Sequence, residues 1–158
     1  VDGFDAMSNA ISLSHMALYA ANNKKFKDAN FYLDKLVAVG KQPNESMRLD
    51  AYLLLSEEGK VTHKFNIDSI YVSEKRIVYN RYFRKMKSSN RPQEALLFQV
   101  MTYINLLQFD KAVSFASDAL TVYPDNKELK EVLQRSKRLY ANTKGFFIEN
   151  GNNFNSEL

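Results

Sequence analysis

Two stretches of this chain present the same residue types in the same order, and that repetition constrains the fold more than any other feature. Residues 26–44 read FKDANFYLDKLVAVGKQPN, and residues 108–126 read QFDKAVSFASDALTVYPDN. Phe26 matches Phe109, Ala29 matches Ala112, Leu33 matches Ala116 and Leu36 matches Ala119. In both, an aromatic follows a short polar turn and a small residue opens the core face of a helix. The i, i+4, i+7 spacing of Ala29, Leu33 and Leu36 makes one stripe. The preceding helices correspond as well. Residues 10–23 carry Leu13, Met16, Ala17 and Ala20 on one face; residues 93–106 carry Leu96, Val100 and Tyr103 at matching places, with Gln99 where Met16 falls. Each unit is therefore a helix, a tight turn and a second helix, an αα-hairpin.

The pattern resembles the tetratricopeptide repeat family, whose units have about 34 residues. The likeness runs from Gln93 to Asn126 through Tyr103, Phe109, Ala112, Ala119 and Pro124. It is looser from Ala10 to Pro43, where Lys41 takes the expected proline place. The resemblance implies an all-α fold: antiparallel helix hairpins stacked as a short right-handed superhelix of about seven helices.

Ala29 and Ala112 are 83 positions apart, whereas two regular repeats span about 68, so roughly 15 residues are extra. Residues 44–57 read as the first helix of a middle unit, with Asn44 as N-cap and Met47, Ala51 and Leu54 on the core stripe. The insertion falls at 58–72, where Val61, His63, Phe65 and Ile67 alternate as a short extended arm would. A helix follows, with Ser73 as N-cap, Val72 and Ile77 as a hydrophobic staple, and Val78, Tyr82 and Met86 as its stripe. The expected repeats are thus 10–43, 44–92 and 93–126. A capping helix over 127–143 turns Leu129, Val132, Leu133, Leu139 and Tyr140 inward and ends at Gly145. Together these make one repeat domain over 1–143. Residues 144–158 form a polar, Asn-rich tail in which Phe146, Phe147 and Ile148 could tuck onto the cap.

Composition removes several function classes. The chain of 158 residues suits one domain. It has no cysteine, which excludes disulfides, Cys-ligated zinc and thiol catalysis. The two histidines, His15 and His63, each lack a second ligand at a useful spacing. The five glycines are dispersed, so no phosphate loop is present, and the H-E-x-x-H and G-x-S-x-G patterns are absent. Glu57 and Glu58 are adjacent and point apart. The expectation is a non-enzymatic chain without metal or cofactor. No apolar run approaches the roughly 18–20 residues that cross a bilayer. The first residues show no signal peptide. They also lack an initiator Met, as a segment of a larger protein would.

Two surfaces are candidates for binding. The resemblance implies that first helices line a groove through Ile11, Ser14, Leu18 and Asn22, then Arg48, Tyr52, Leu55 and Ser56, then Leu97, Met101, Ile104 and Asn105. The set is apolar and suits an amphipathic helix or apolar peptide. Relatives that clamp a peptide carboxylate use Lys, Arg or Asn at one key position; here Ser14, Arg48 and Leu97 occupy it in turn, which speaks against that specialised activity. The same residues could instead be covered by the inserted arm, the tail or another repeat. The second surface is residues 75–91, with seven Lys or Arg (Lys75, Arg76, Arg81, Arg84, Lys85, Lys87, Arg91) and no acid. Tyr79, Tyr82 and Phe83 interleave. Such a helix can hold nucleic acid, an acidic protein or an anionic membrane surface, or it can be an ordinary packed helix with a solvated basic face. The net charge of +4 permits an anionic partner without requiring one. A protein or peptide partner in the groove is the leading expectation. Nucleic acid on the basic helix and pairing of two copies are the alternatives.

Overall fold

The computed structural model describes residues 3–39 and 46–149, with side chains from residue 9 onward. The fold is all-α. Among the described residues there are seven helices: α1 (Gly3–Asn22), α2 (Phe26–Val39), α3 (Met47–Glu57), α4 (Val72–Ser88), α5 (Pro92–Asn105), α6 (Phe109–Val122) and α7 (Lys127–Thr143). Two short strands, β1 (Phe65–Asn66) and β2 (Phe147–Ile148), and a 3-10 turn at Ile67–Ser69 complete it.

The repetition in the sequence is a repetition of backbone geometry. α2 and α6 are both 14 residues long and begin at the matched aromatics. Their matched stripes, Ala29, Leu33 and Leu36 against Ala112, Ala116 and Ala119, are all buried. The turns before them also correspond. Lys25 N–H donates to Ala20 O (2.8 Å) and Gln108 N–H to Tyr103 O (2.9 Å). Lys24 and Leu107, one place earlier, hold φ of 58° and 62°. This is the Schellman closure of a helix, with its left-handed residue supplied by Lys and Leu instead of the usual Gly. α3 ends the same way, with Gly59 at φ 65° and Lys60 N–H donating to Leu55 O at 2.9 Å. The middle unit thus starts the common turn, and only then does its chain depart.

Hairpin partners pack closely for α1 with α2 and for α5 with α6; α4 packs on α5 and α6 on α7. The middle unit differs. The backbones of α3 and α4 scarcely approach. Side chains join them: Arg48 to Glu74 at 3.0 Å, and Arg81 in a two-pronged pair with Asp50 and on to Ser46. α3 packs on α1 and touches α5 and α7. At its C-terminus Glu57 receives both Arg135 and Arg138, and Asn142 donates to Ser56 O at 2.9 Å, so the last helix reaches back to the middle unit. Asn126 caps α7 through the Leu129 N–H.

Some local expectations are corrected. α4 starts one residue before Ser73: Tyr71 is the N-cap, and the Glu74 carboxylate accepts from its N–H at 3.3 Å. Val72 and Ile77 are exposed, so they do not staple the helix into the core. Met16 and Tyr140 are exposed as well; the α1 core stripe runs instead through Ala10, Ser14, Ala17 and Ala21. Asn44, Lys41 and Pro43 lie outside the described residues.

Candidate functional site

α3 sits at the middle of the face expected to line a groove, and its expected groove residues are closed off. Arg48, Tyr52, Leu55 and Ser56 are each at most 1% exposed. Arg48 is occupied by Glu74, whose own side chain is sealed from solvent. Burial raises the Glu74 carboxyl above its ordinary value, while the Arg48 charge, its hydrogen bond and the Tyr71 N–H pull it back. Ser56 turns its hydroxyl onto Tyr52 O at 2.6 Å.

The material that covers α3 is the insertion and the tail. Asn30 of α2 fixes the start of the arm, donating to Lys60 O at 2.7 Å and accepting from Thr62 N–H at 3.4 Å. Val61, Phe65 and Ile67 then turn inward and are buried. The Phe65 ring stacks on Tyr52 with centroids 4.3 Å apart. β1 pairs in parallel with β2, Phe65 opposite Phe147, and Phe65 N–H donates to Phe146 O at 2.7 Å. Phe147 thereby enters a nest of rings: edge-on to Tyr52 (5.6 Å) and Phe65 (6.5 Å), and tilted against Phe109 (5.9 Å). Offset and edge-to-face contacts of this kind are favourable beyond area burial. Glu149 follows beside Lys111 at 3.7 Å.

His63 completes the arm's attachment. Its Nε2 stands 2.9 Å from the Tyr52 hydroxyl, and its Nδ1 stands 3.2 Å from the Asp34 carboxylate, off the line of a hydrogen bond. Burial pushes the Tyr52 phenol far up and the His63 imidazole down. Asp34, His63 and Tyr52 stand in the order of a proton relay. Its inner end is closed, however, because no surface of Tyr52 is open to a substrate. The three residues pin the arm to α2 and α3.

The flanks of the expected groove are more open. On α1, Ile11 and Leu18 are half-buried and Asn22 is exposed, while Ser14 is buried and bonded to Ala10 O. On α5, Leu97, Met101 and Asn105 are half-buried, whereas Ile104 is fully buried. Leu97 lines a cavity of about 500 Å³ between the N-termini of α5 and α7, walled also by Arg91, Glu94, Asn126 and Glu128.

The basic helix is partly taken up by the fold. Lys75 is buried. Arg81 is held by Asp50 and Ser46. Tyr79 pairs with Phe83 (4.8 Å) and Tyr82 stacks on Phe98 (6.0 Å), so the interleaved aromatics meet rings of this chain. Lys85 and Lys87 lie over the Tyr82 and Phe83 rings, 5.5 and 5.4 Å from their centroids. Arg76, Arg84 and Arg91 are exposed.

Phe65 lies in the expected arm and Phe147 in the expected tail, and no sequence periodicity links the two. The available signal was the Phe-Phe-Ile run directly after Gly145, three large apolar residues in an otherwise polar segment. Among the described residues no three His, Cys, Asp or Glu gather as a metal site, and no helix is long and apolar enough to cross a membrane. Comparison with known proteins finds no matching family model, no matching curated protein and no matching solved structure.

Proposed function

We propose that this chain is a non-enzymatic protein-interaction module of tetratricopeptide-like design, a scaffold, adaptor or regulatory segment whose partner docks across α5. The reading rests on one observation: where the centre of the first-helix face is closed, Leu97 and Met101 are only partly buried, with Leu97 in the wall of the cavity of about 500 Å³. Its lining sets Leu97 and Pro92 among Arg91, Glu94 and Glu128, charges of both signs. Such a mixed lining suits a helix or short peptide that carries both apolar and charged side chains. An ordinary specific interface would bury about 1,200–2,000 Å² in all.

The test is retention of a protein partner at high salt by the full chain and by a Leu97→Arg, Met101→Glu variant of unchanged helix content. Loss of that partner in the variant supports the reading, and undiminished retention rejects it. The rival is the basic helix. It predicts the opposite pattern: binding that washes off with salt and is abolished by Arg76→Glu with Arg84→Glu.

A further inference from the structure

We propose that the seat holding Phe147 is an exchangeable docking site for an extended partner peptide, closed in cis by the chain's own tail. The peptide it fits carries an aromatic residue followed two positions later by a carboxylate.

The walls are built without the tail. Tyr52, Phe65 and Phe109 come from three separate elements, α3, β1 and α6. They are held by the Tyr52–Phe65 stack, by the Tyr52–His63 bond and, for Phe109, by the start of a regular helix. Withdrawing Phe147 leaves an aromatic recess and the Phe65–Asn66 backbone beside it. An extended segment adds to such a backbone as a strand, with alternate side chains read by pockets.

The tail itself is lightly held. Its pairing with β1 is two residues long and parallel, a pairing far shorter than an independently stable ladder. Phe147 is only half-buried, and Ile148 between it and Glu149 is 39% exposed. The segment therefore gives the fold two partly buried rings and one carboxylate: Phe146 against the core beside the end of α7, Phe147 in the recess, and Glu149 by Lys111. Phe147 and Glu149 define the specificity, with Ile148 between them turned to solvent.

The connection lets the tail leave. Gly145 sits at φ 88°, and a Cβ built there would meet nothing within 4 Å, so the link from α7 to β2 passes through open space. The recess is also incompletely filled. A cavity of about 220 Å³ borders Phe147, lined by Ile67, Leu107, Tyr140 and Lys144. A partner segment bulkier than the tail would gain contacts there. A tethered tail competes at an effective concentration near the millimolar range, so it would act as a threshold against weak ligands. This site is separate from Leu97, and either reading can fail without the other.

The experiment uses the full chain and a fluorescein-labelled peptide of residues 144–150, KGFFIEN. A Phe147→Ala chain is expected to bind the peptide saturably and at least tenfold more tightly than the unaltered chain. That binding is expected to weaken tenfold or more when the peptide carries Phe147→Ala or Glu149→Lys. A Glu149→Lys chain, which loosens the tail and keeps the ring, should show a smaller gain and serves if Phe147→Ala does not fold. The proposal is overturned if a folded variant binds the peptide no better than the unaltered chain. It is equally overturned if the altered peptides bind as well as the original.

Discussion

The Arg48 guanidinium lies 3.0 Å from the Glu74 carboxylate, and neither side chain is more than 2% exposed. This ion pair bridges two helices whose backbones scarcely approach. A hairpin of regular length would have packed those helices directly. With 58–71 between them, the pair and the Arg81–Asp50 contact carry the connection.

Removing one partner strands the other in a dry site. Arg48→Met is expected to destabilise the fold by about 3–5 kcal/mol. Arg48→Met with Glu74→Leu is expected to cost clearly less than the two single changes together, because no buried charge remains. Urea unfolding of the three variants measures both values.

Tyr52 contributes a ring and a hydroxyl, and the two can be separated. Tyr52→Phe keeps the stack on Phe65 and loses the bond to His63, an expected loss of about 1 kcal/mol. Tyr52→Ala opens the nest beneath both Phe65 and Phe147 and is expected to cost about 3–5 kcal/mol. The same unfolding curves distinguish them. Equal losses would mean that the ring packing contributes little.

His63 makes stability depend on pH. Burial lowers its pKa below the ordinary 6.5, and the Asp34 charge opposes this. Through that window the unfolded chain binds more protons than the folded one. The stability present above about pH 6.5 is therefore lost as pH falls from there through the folded value. The midpoint of thermal unfolding should drop between about pH 7.5 and 5, and His63→Gln should flatten that part of the profile. An unchanged slope in the variant would assign the dependence to another group.

The three matched turns give predictions of opposite sign. Lys24 is exposed and holds φ 58°, so Lys24→Gly relieves a left-handed strain and is expected to stabilise by about 1 kcal/mol. Gly59→Ala introduces that strain and is expected to destabilise by about as much. Its Cβ would stand 3.5 Å from Asn142, an ordinary contact, so the loss is conformational. Leu107→Gly relieves strain too, but it empties a position only 2% exposed, and the lost packing should dominate. Thermal midpoints of the three variants check the order.

The hairpins themselves were legible in the sequence. The matched aromatics start α2 and α6, their matched stripes are buried, and the arm that alternates at Val61, Phe65 and Ile67 does turn those residues inward. Those features are local, since a period of 3.6 or 2 needs only neighbours along the chain. The fate of the central groove residues was open in the sequence, which allowed either a groove or cover by the arm and the tail. Arg48 and Tyr52 stand where a groove would expose them, and contacts with Glu74, Phe65 and Phe147 help to bury them. Lys75 and Arg81 likewise look available as charges in a basic run until the packing of α4 is known.

The sequence by itself determined the all-α class and the helix-hairpin pattern, with the aromatics that open α2 and α6. Both follow from side-chain periodicity along the chain. Tertiary structure alone decided that the interruption and the tail return to the same helix and close it. The distance from Phe65 to Phe147 along the chain carries no periodic signal, and the energy of bringing the two together resides in rings and a backbone pair that meet only once the helices have packed.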